Sequence, residues 1–238
     1  MGSSQITHLA EVGSTNDWIA AAATRGEFDG IWVQADRQTA GRGRRGRVWT
    51  SNAGNLFAST LVRPQPSESQ VQQLSFVAAL AVHDMAARYV PANRLTLKWP
   101  NDLLLDGIKC AGILVEGRDG VIIIGIGVNL SHHPNDTERP ATSFLASGVA
   151  APAPADAVRH LASAFATRRQ IWREESFAPT REAWLDRAAD LGRPIEARLG
   201  METVSGTFED LASDGALQLR LPTGGLRIVH AGEVFSLA

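Results

Sequence analysis

Between Leu95 and Leu130 strand-like segments follow one another too closely for helices to separate them. Leu95–Trp99 alternates apolar and polar residues. Leu103-Leu104-Leu105 and Cys110–Val115 flank Asp106-Gly107, a dipeptide that suits a tight hairpin turn because both residues tolerate positive φ. Val121–Gly125 is apolar throughout, as expected of a strand covered on both faces. Runs of neighbouring strands argue for a mixed α+β sheet, mostly antiparallel with flanking helices, and against a doubly wound parallel one.

The remaining signals surround this β region. Capping-type residues Ser14-Thr15-Asn16-Asp17 predict a helix through Trp18–Ala23, stopped by Gly26. Strands are expected at Ile31–Ala35 and Leu56–Val62. Pro64 and Pro66 then precede a helix over about residues 67–90, where Val71, Leu74, Val77, Ala78 and Ala81 recur at helical spacing. The Pro/Ala connector 150–154 leads to a helix capped by Asp156, with Val158, Leu161, Phe165 and Trp172 on its apolar side, and a second helix at Thr180–Leu191 ends at Gly192. After Pro194 every signal is β. The expected division is a main domain over residues 1–190 and a small C-terminal β domain over residues 191–238. At about 45 residues the tail is near the lower limit for an independent core, so it is expected to pack on the main domain.

Composition narrows the function. The chain has 238 residues, 44% of them hydrophobic, and 23 basic against 25 acidic residues leave a net charge of −2. A basic nucleic-acid coat and an acidic disordered tail are both disfavoured. The single cysteine, Cys110, excludes an intrachain disulfide and a cysteine-based zinc cage. No apolar run approaches the ~20 residues of a membrane helix, and the first residues lack a signal-peptide pattern, so a soluble cytoplasmic protein is expected.

Against that slightly acidic background, residues Arg37 to Arg47 hold five arginines and no acid, with Gly41, Gly43 and Gly46 among them. Like charges repel and glycines are costly to order, so neither feature helps a fold; both costs fall if the segment receives an anion. The letters fit G-x-G-x-x-G, but that fingerprint needs a helix to begin inside it and an acid about 20 residues on. Here turn-forming Val48–Asn55 follows, and Thr60–Arg63 supplies no acid. A P-loop fails as well, because Arg47-Val48 stands where Lys-Ser/Thr is required. A solvated basic loop or nucleic-acid patch is the plainer alternative.

Two further segments carry polar groups into apolar surroundings. Lys98-Trp99-Pro100-Asn101-Asp102 puts an amide and a carboxylate on a turn, and Lys109 lies in the apolar strand that follows. By itself such a lysine would point to solvent. In Gly125-Ile126-Gly127-Val128-Asn129 an apolar strand ends in two glycines and an amide, which allows close approach of a ligand or a simple bulge. His132-His133 lacks companions at metal-ligand spacing.

Together these segments resemble the bacterial biotin protein ligases, in the family's order and over nearly the whole chain. The matching stretches are Ser14-Thr15-Asn16, Gln38–Arg47 with Trp49, Lys98–Asp102, Lys109–Glu116 and Gly125–Asn129. The resemblance implies a class II synthetase-like biotin/lipoate ligase catalytic domain with a C-terminal SH3-like barrel. It also implies formation of biotinyl-5′-adenylate from biotin and ATP with Mg²⁺, then transfer of biotin to a lysine of a biotin carboxyl carrier protein of acetyl-CoA carboxylase or a similar carboxylase.

By the same resemblance, Ser14, Thr15, Asn16, Gln38, Arg42, Gly43, Arg44, Lys109 and Gly112 bind biotin. Arg42, Arg44, Arg47, Trp49, Lys109 and Asn129 bind ATP or the adenylate; Lys109, Arg44 and Asp102 serve catalysis; Asp102 and Asn129 are the Mg²⁺ candidates. Hydroxyls and amides suit a neutral ureido ring because they both donate and accept hydrogen bonds. Only thirteen residues precede Ser14, so the helix-turn-helix of bifunctional relatives, and with it sequence-specific DNA binding, is not expected. No membrane association and a monomer or weak homodimer are expected. A lipoate or octanoate ligase or transferase is the enzymatic alternative. An arginine-loop RNA-binding module is disfavoured because no stacking aromatic interrupts Arg37–Arg47.

Overall fold

A computed structural model describes residues 5–65, 68, 70–200 and 202–237. Its main element is a seven-stranded sheet in the order β1-β2-β3-β7-β6-β5-β4, formed by Ile6–Val12, Trp32–Gln38, Leu56–Val62, Val121–Val128, Ile108–Arg118, Asp102–Leu105 and Leu95–Lys98 respectively. Every pairing is antiparallel except β1 with β2, whose parallel register needs a crossover; helix α1 (Thr15–Thr24) supplies it. The Asp106-Gly107 turn joins β5 to β6 with both residues at positive φ, as the dipeptide implies.

The two faces of this sheet are filled differently. Helices α2 (Leu74–Ala86) and α3 (Pro154–Glu175) cover one face, burying Ile122, Ile124 and Ile126 of β7 with Trp32 and Ala58 in one large apolar core. Period-2 alternation sends Val121 and Ile123 to the opposite face, where they meet Ile19 and Ala22 of α1. The next two positions on that face are Gly125 and Gly127. The helix covers the apolar half of the face, and the side-chain-free half admits Asn16 and Trp49 close against the sheet, forming the floor of a cavity.

Several boundaries differ from the sequence reading. Strand β1 carries no clear sequence signal because it is a half-exposed edge strand. Helix α2 begins at Leu74, after a 3₁₀ turn at Val71–Gln73, and the start expected near residue 67 lies outside the described residues. Asp156 is not a cap: Ala153 is the N-cap and Pro154 opens α3, so Asp156 sits in the first turn and pairs with Arg159. Helix α4 runs Phe177–Leu185, not Thr180–Leu191. Residues beyond it leave the helix for the edge strand β4, where Leu97 receives and donates backbone hydrogen bonds at 2.9 and 2.7 Å with Ala189 and Arg187.

The chain after Pro194 forms the small antiparallel β unit expected there. Its strands β8 (Pro194–Leu199), β9 (Glu202–Leu211), β10 (Leu217–Arg220), β11 (Leu226–Val229) and β12 (Glu233–Ser236) take the order β11-β10-β9-β8-β12. Phe208, Leu217 and Leu219 join the main apolar core, and β12 brings Glu233 to the edge of the cavity.

Candidate functional site

A cavity of about 370 Å³ opens over Gly112, Gly125 and Gly127, and every residue assigned to a site from the sequence lines it. Its floor needs those glycines: a Cβ at Gly125 would overlap the Asn16 amide, and one at Gly127 the Trp49 indole. Trp49 thus lies flat on the sheet as part of the cavity wall, with the Lys109 ammonium 5.7 Å from its ring centre.

One end of the cavity is a hydrogen-bonded network of hydroxyls and amides anchored on the Glu116 carboxylate. Ser14 is the N-cap of α1 through its backbone, and its side chain makes no capping bond. Thr15 donates from its backbone N–H and its hydroxyl to Gln38 Oε1 at 2.8 and 3.0 Å. Gln38 Nε2 in turn donates to Ser51 Oγ at 3.1 Å. Asn16 Nδ2 donates to Glu116 Oε2 at 2.6 Å, while the fully buried Ser59 hydroxyl lies 2.6 Å from Asn16 Oδ1 and 2.7 Å from Thr15 Oγ1. These contacts settle which way each amide points. Ser51, Ser59 and Glu116 were not assigned roles from sequence; pairing across 43 and 100 residues leaves no local signal.

The arginine loop forms the roof, and here the expectation needs correction. Its guanidinium groups do not lack counter-charges within the protein. Arg42 makes two 2.7 Å bonds to Asp17, which holds that carboxyl below its usual range, and Arg42 is raised in turn. Arg45 and Arg47 pair with Glu233 of β12, and Arg37 lies 3.9 Å from Glu11. The loop is a closed turn, with Gly43 N–H on Arg47 O at 2.8 Å and Arg45 and Gly46 in the left-handed region. Arg44 alone faces no acid at bonding distance. It is held by Asn101 Oδ1 at 3.3 Å and Gly232 O at 3.5 Å, and burial, reinforced by Arg45, disfavours its charge.

The far wall carries the remaining charged groups. Lys109 lies 2.7 Å from Asp102, so it faces the cavity and not solvent. A bulge opposite Leu103 and Leu104 shifts the β6 register and puts Cys110 in the apolar core beside a cavity-facing lysine. Burial pushes the Cys110 thiol up to about 12, which leaves it a small apolar filler. The Asn129 amide donates to Thr142 O at 3.0 Å. After β7, Asn55 accepts backbone N–H groups of Leu130, Ser131 and His132, bracing a loop that carries Arg139 back to the cavity. Arg139, Glu233 and Asp17 were likewise missed from sequence. Among the described residues no cluster of three His, Cys, Asp or Glu could hold a metal.

Known proteins share both parts of the chain. Residues 25–131 match the biotin/lipoate A/B protein ligase family and residues 190–236 the biotin protein ligase C-terminal domain. A biotin–[acetyl-CoA-carboxylase] ligase of Paracoccus denitrificans is 42% identical over 95% of this chain and 98% of its own. Another, from Mycobacterium tuberculosis, is 36% identical over 98% and 89%. Among solved structures, the biotin protein ligase of Aquifex aeolicus in complex with biotin and ATP shares the fold, with TM-score 0.86 and 24% identity over 98% of this chain and 99% of that one. The Leishmania major biotin protein ligase with biotinyl-5-AMP gives TM-score 0.66 at 28% identity, over 95% and 99%.

Proposed function

This chain belongs to the biotin protein ligase family, and from that premise we propose how its cavity carries out the family's two steps. The protein is an ATP-dependent ligase that joins biotin to AMP and then to a lysine of an acceptor protein. The observation that carries the residue-level reading is the polarity of the cavity. A neutral network of hydroxyls and amides at Ser14, Thr15, Asn16 and Gln38 lies at one end, and cations at Arg44, Arg47 and Lys109 line the other. A ureido ring fits the first, since it needs donors and acceptors without net charge. A carboxylate and phosphates fit the second. A lipoyl or octanoyl chain would leave the Gln38 and Asn16 amides and the Thr15 hydroxyl facing an apolar group, which disfavours the alternative enzyme class.

In the first step a biotin carboxylate oxygen attacks the α-phosphorus of ATP, the α–β bridging bond breaks, and its electron pair leaves with pyrophosphate. Lys109 and Arg44 stabilise charge accumulating on the phosphoryl oxygens. Arg42 and Gly43 form the roof over biotin, Gly112 lets it approach the sheet, and Trp49 and Asn129 shape the adenylate side. In the second step the acceptor lysine, as free amine, attacks the biotin carbonyl carbon and AMP departs. Asp102 orients Lys109 in the first step and takes up the acceptor amine's proton in the second.

Mg²⁺ would enter with the nucleotide. Asp102 and Asn129 would be its protein oxygen donors, a sparse set that suits an ion keeping waters and phosphate oxygens. When bound it would neutralise charge on the phosphates. Residues 1–190 form the catalytic unit and 191–238 a β unit that steadies its roof through Glu233. The acceptor is a biotin carboxyl carrier protein or a similar carboxylase domain, and sequence-specific DNA binding is no part of this reading. We place the protein in the cytoplasm; among the described residues no helix is long and apolar enough to cross a membrane. The protein would act as a monomer or weak homodimer.

Incubation with ATP, Mg²⁺ and either biotin or lipoate, followed by mass measurement of a carrier domain, tests the reading. A mass gain with biotin alone supports it; a gain with lipoate alone overturns it.

A further inference from the structure

Arg139 is unlike the other arginines of the cavity. It lies in the loop after β7, two residues before Ala141, which bridges to Lys109, so its backbone is tied to the strand that carries the cavity lysine. Its guanidinium carbon stands 3.7 Å from the Phe235 ring centre, a stacking contact that positions the group without satisfying its donors. Nη2 is buried and has no hydrogen-bond partner among the described residues; its one counter-charge there is the Glu233 carboxylate, in a long ion pair at 3.9 Å. Burial disfavours the Arg139 charge, Asp102 and Glu138 support it, and Arg47 and Arg198 oppose it. A half-buried guanidinium held in place with an unpaired donor is costly, and an anion in the cavity would remove that cost.

Phe235 provides its own comparison. Arg198 lies 3.8 Å from the same ring centre, yet it pairs with Glu196 and Glu138 at 3.2 and 3.3 Å and does not line the cavity. Stacking on Phe235 therefore serves one arginine that is closely paired with carboxylates outside the cavity and one that lines the cavity with a buried donor free of any hydrogen bond. Arg139 and Arg47 also share the carboxylate Glu233, which marks that wall as a place for a multiply charged anion.

We propose that Arg139 binds the β- and γ-phosphates of ATP and so stabilises the departing pyrophosphate, with Phe235 of the C-terminal unit as the platform that holds its guanidinium. This rests on the ligase reading above. When the carboxylate oxygen bonds to the α-phosphorus and the α–β bridge breaks, the electron pair goes to the pyrophosphate oxygen, and Arg139 meets the charge that develops there. It has no part in the second step, from which pyrophosphate has already gone.

The test compares Arg139→Ala, Arg139→Lys, Phe235→Leu and Arg198→Ala. Arg139→Ala is expected to raise KM for ATP, and to weaken pyrophosphate binding measured directly by calorimetry, by roughly tenfold or more, as for loss of charged hydrogen bonds. Arg139→Lys should recover part of the loss, and Phe235→Leu should lose less than Arg139→Ala. Biotin affinity, biotin transfer from preformed biotinyl-AMP, and all properties of Arg198→Ala should stay within about twofold of the parent, as for a surface substitution. Unchanged pyrophosphate affinity in Arg139→Ala, or an equal loss in transfer from the preformed adenylate, would overturn the proposal. Should Arg139→Ala fail to fold, the Arg139→Lys and Phe235→Leu titrations decide in its place. A parent protein that binds pyrophosphate through Arg139 but forms no biotinyl-AMP would sink the ligase reading and leave the anion site standing.

Discussion

The two ends of the cavity hold their polar groups by opposite means. At the end lined by hydroxyls and amides Thr15, Asn16, Gln38 and Ser59 hydrogen-bond one another at 2.6–3.0 Å, and no bare charge points inward from these four residues. At the cationic end charges are held by carboxylates that belong to other parts of the chain, Asp17, Asp102 and Glu233, or lack close pairing, as Arg44 and Arg139 do. A neutral ligand is recognised by directed donors and acceptors, which must be oriented before it arrives. A phosphate can displace a carboxylate from a guanidinium, because one anion replaces another at little net cost in charge. The first end is therefore rigid by construction, and the second is built for exchange.

The sharpest way to break this contrast is to remove the central cation. Lys109→Ala should slow adenylate formation by the equivalent of roughly 2–4 kcal/mol, typical of a lost transition-state donor, and leave biotin binding much less affected; single-turnover formation of biotinyl-AMP measures it. Similar losses in both would mean that the two ends are not separate. Next in size is Gly125→Ala. Its methyl group meets the Asn16 amide, and overpacking of this kind costs about 1–3 kcal/mol. The loss should fall on biotin affinity and not on KM for ATP, as titration calorimetry and ATP-dependent rates would reveal.

Ser59→Ala probes the same end more gently. It removes the hydroxyl that approaches both Asn16 and Thr15, so KM for biotin should rise by an amount worth about 1 kcal/mol, with kcat nearly constant. A fall in kcat at constant KM would contradict the view that Ser59 only orients these groups. At the exchange end, Glu233→Gln should increase tryptic cleavage within Gly41–Arg47, and biotin plus ATP should restore protection. Equal cutting with and without ligands would argue that the loop is not exchanged onto an anion.

The smallest effect concerns pH. Asp17 titrates below the ordinary carboxylate range because Arg42 hydrogen-bonds to it, outweighing its burial. A carboxylate lowered on folding contributes its stabilisation above its unfolded value and loses it as pH falls through the lowered one. The Arg42 tether should therefore hold at neutral pH and release only in acid, below about pH 4. Cleavage of the loop by an acid-active protease, compared between the parent and Asp17→Asn, measures this; a difference that persists at the lowest pH would contradict it.

Much of the site was legible because the chemistry is local. The Ser14-Thr15-Asn16 turn, the arginine string and the Lys98–Asp102 segment are contiguous, and the Asp106-Gly107 hairpin brings Asp102 beside Lys109 within a few residues. What stayed hidden was whatever acts across space. Ser59 reads as one more residue of a buried strand, and Glu233 and Arg139 as ordinary surface charges, until folding brings them to the cavity. The error over the arginine loop has the same origin: counting charges along eleven residues could not register acids supplied from Asp17 and Glu233.

Residue types and short-range signals were enough to dictate the hairpin-rich sheet, the glycines of its cavity floor and the kinds of group proposed to bind a ureido ring and phosphates, since propensity, turn chemistry and residue type act over a few neighbours. Folding in three dimensions settled which carboxylate holds which guanidinium and which buried donor is left without a hydrogen bond. The same holds for the face of β7 that receives Asn16 and Trp49. Coulomb attraction and steric overlap depend on distance through space, and that distance exists only once β12, the loop after β7 and α1 have converged on one end of the sheet.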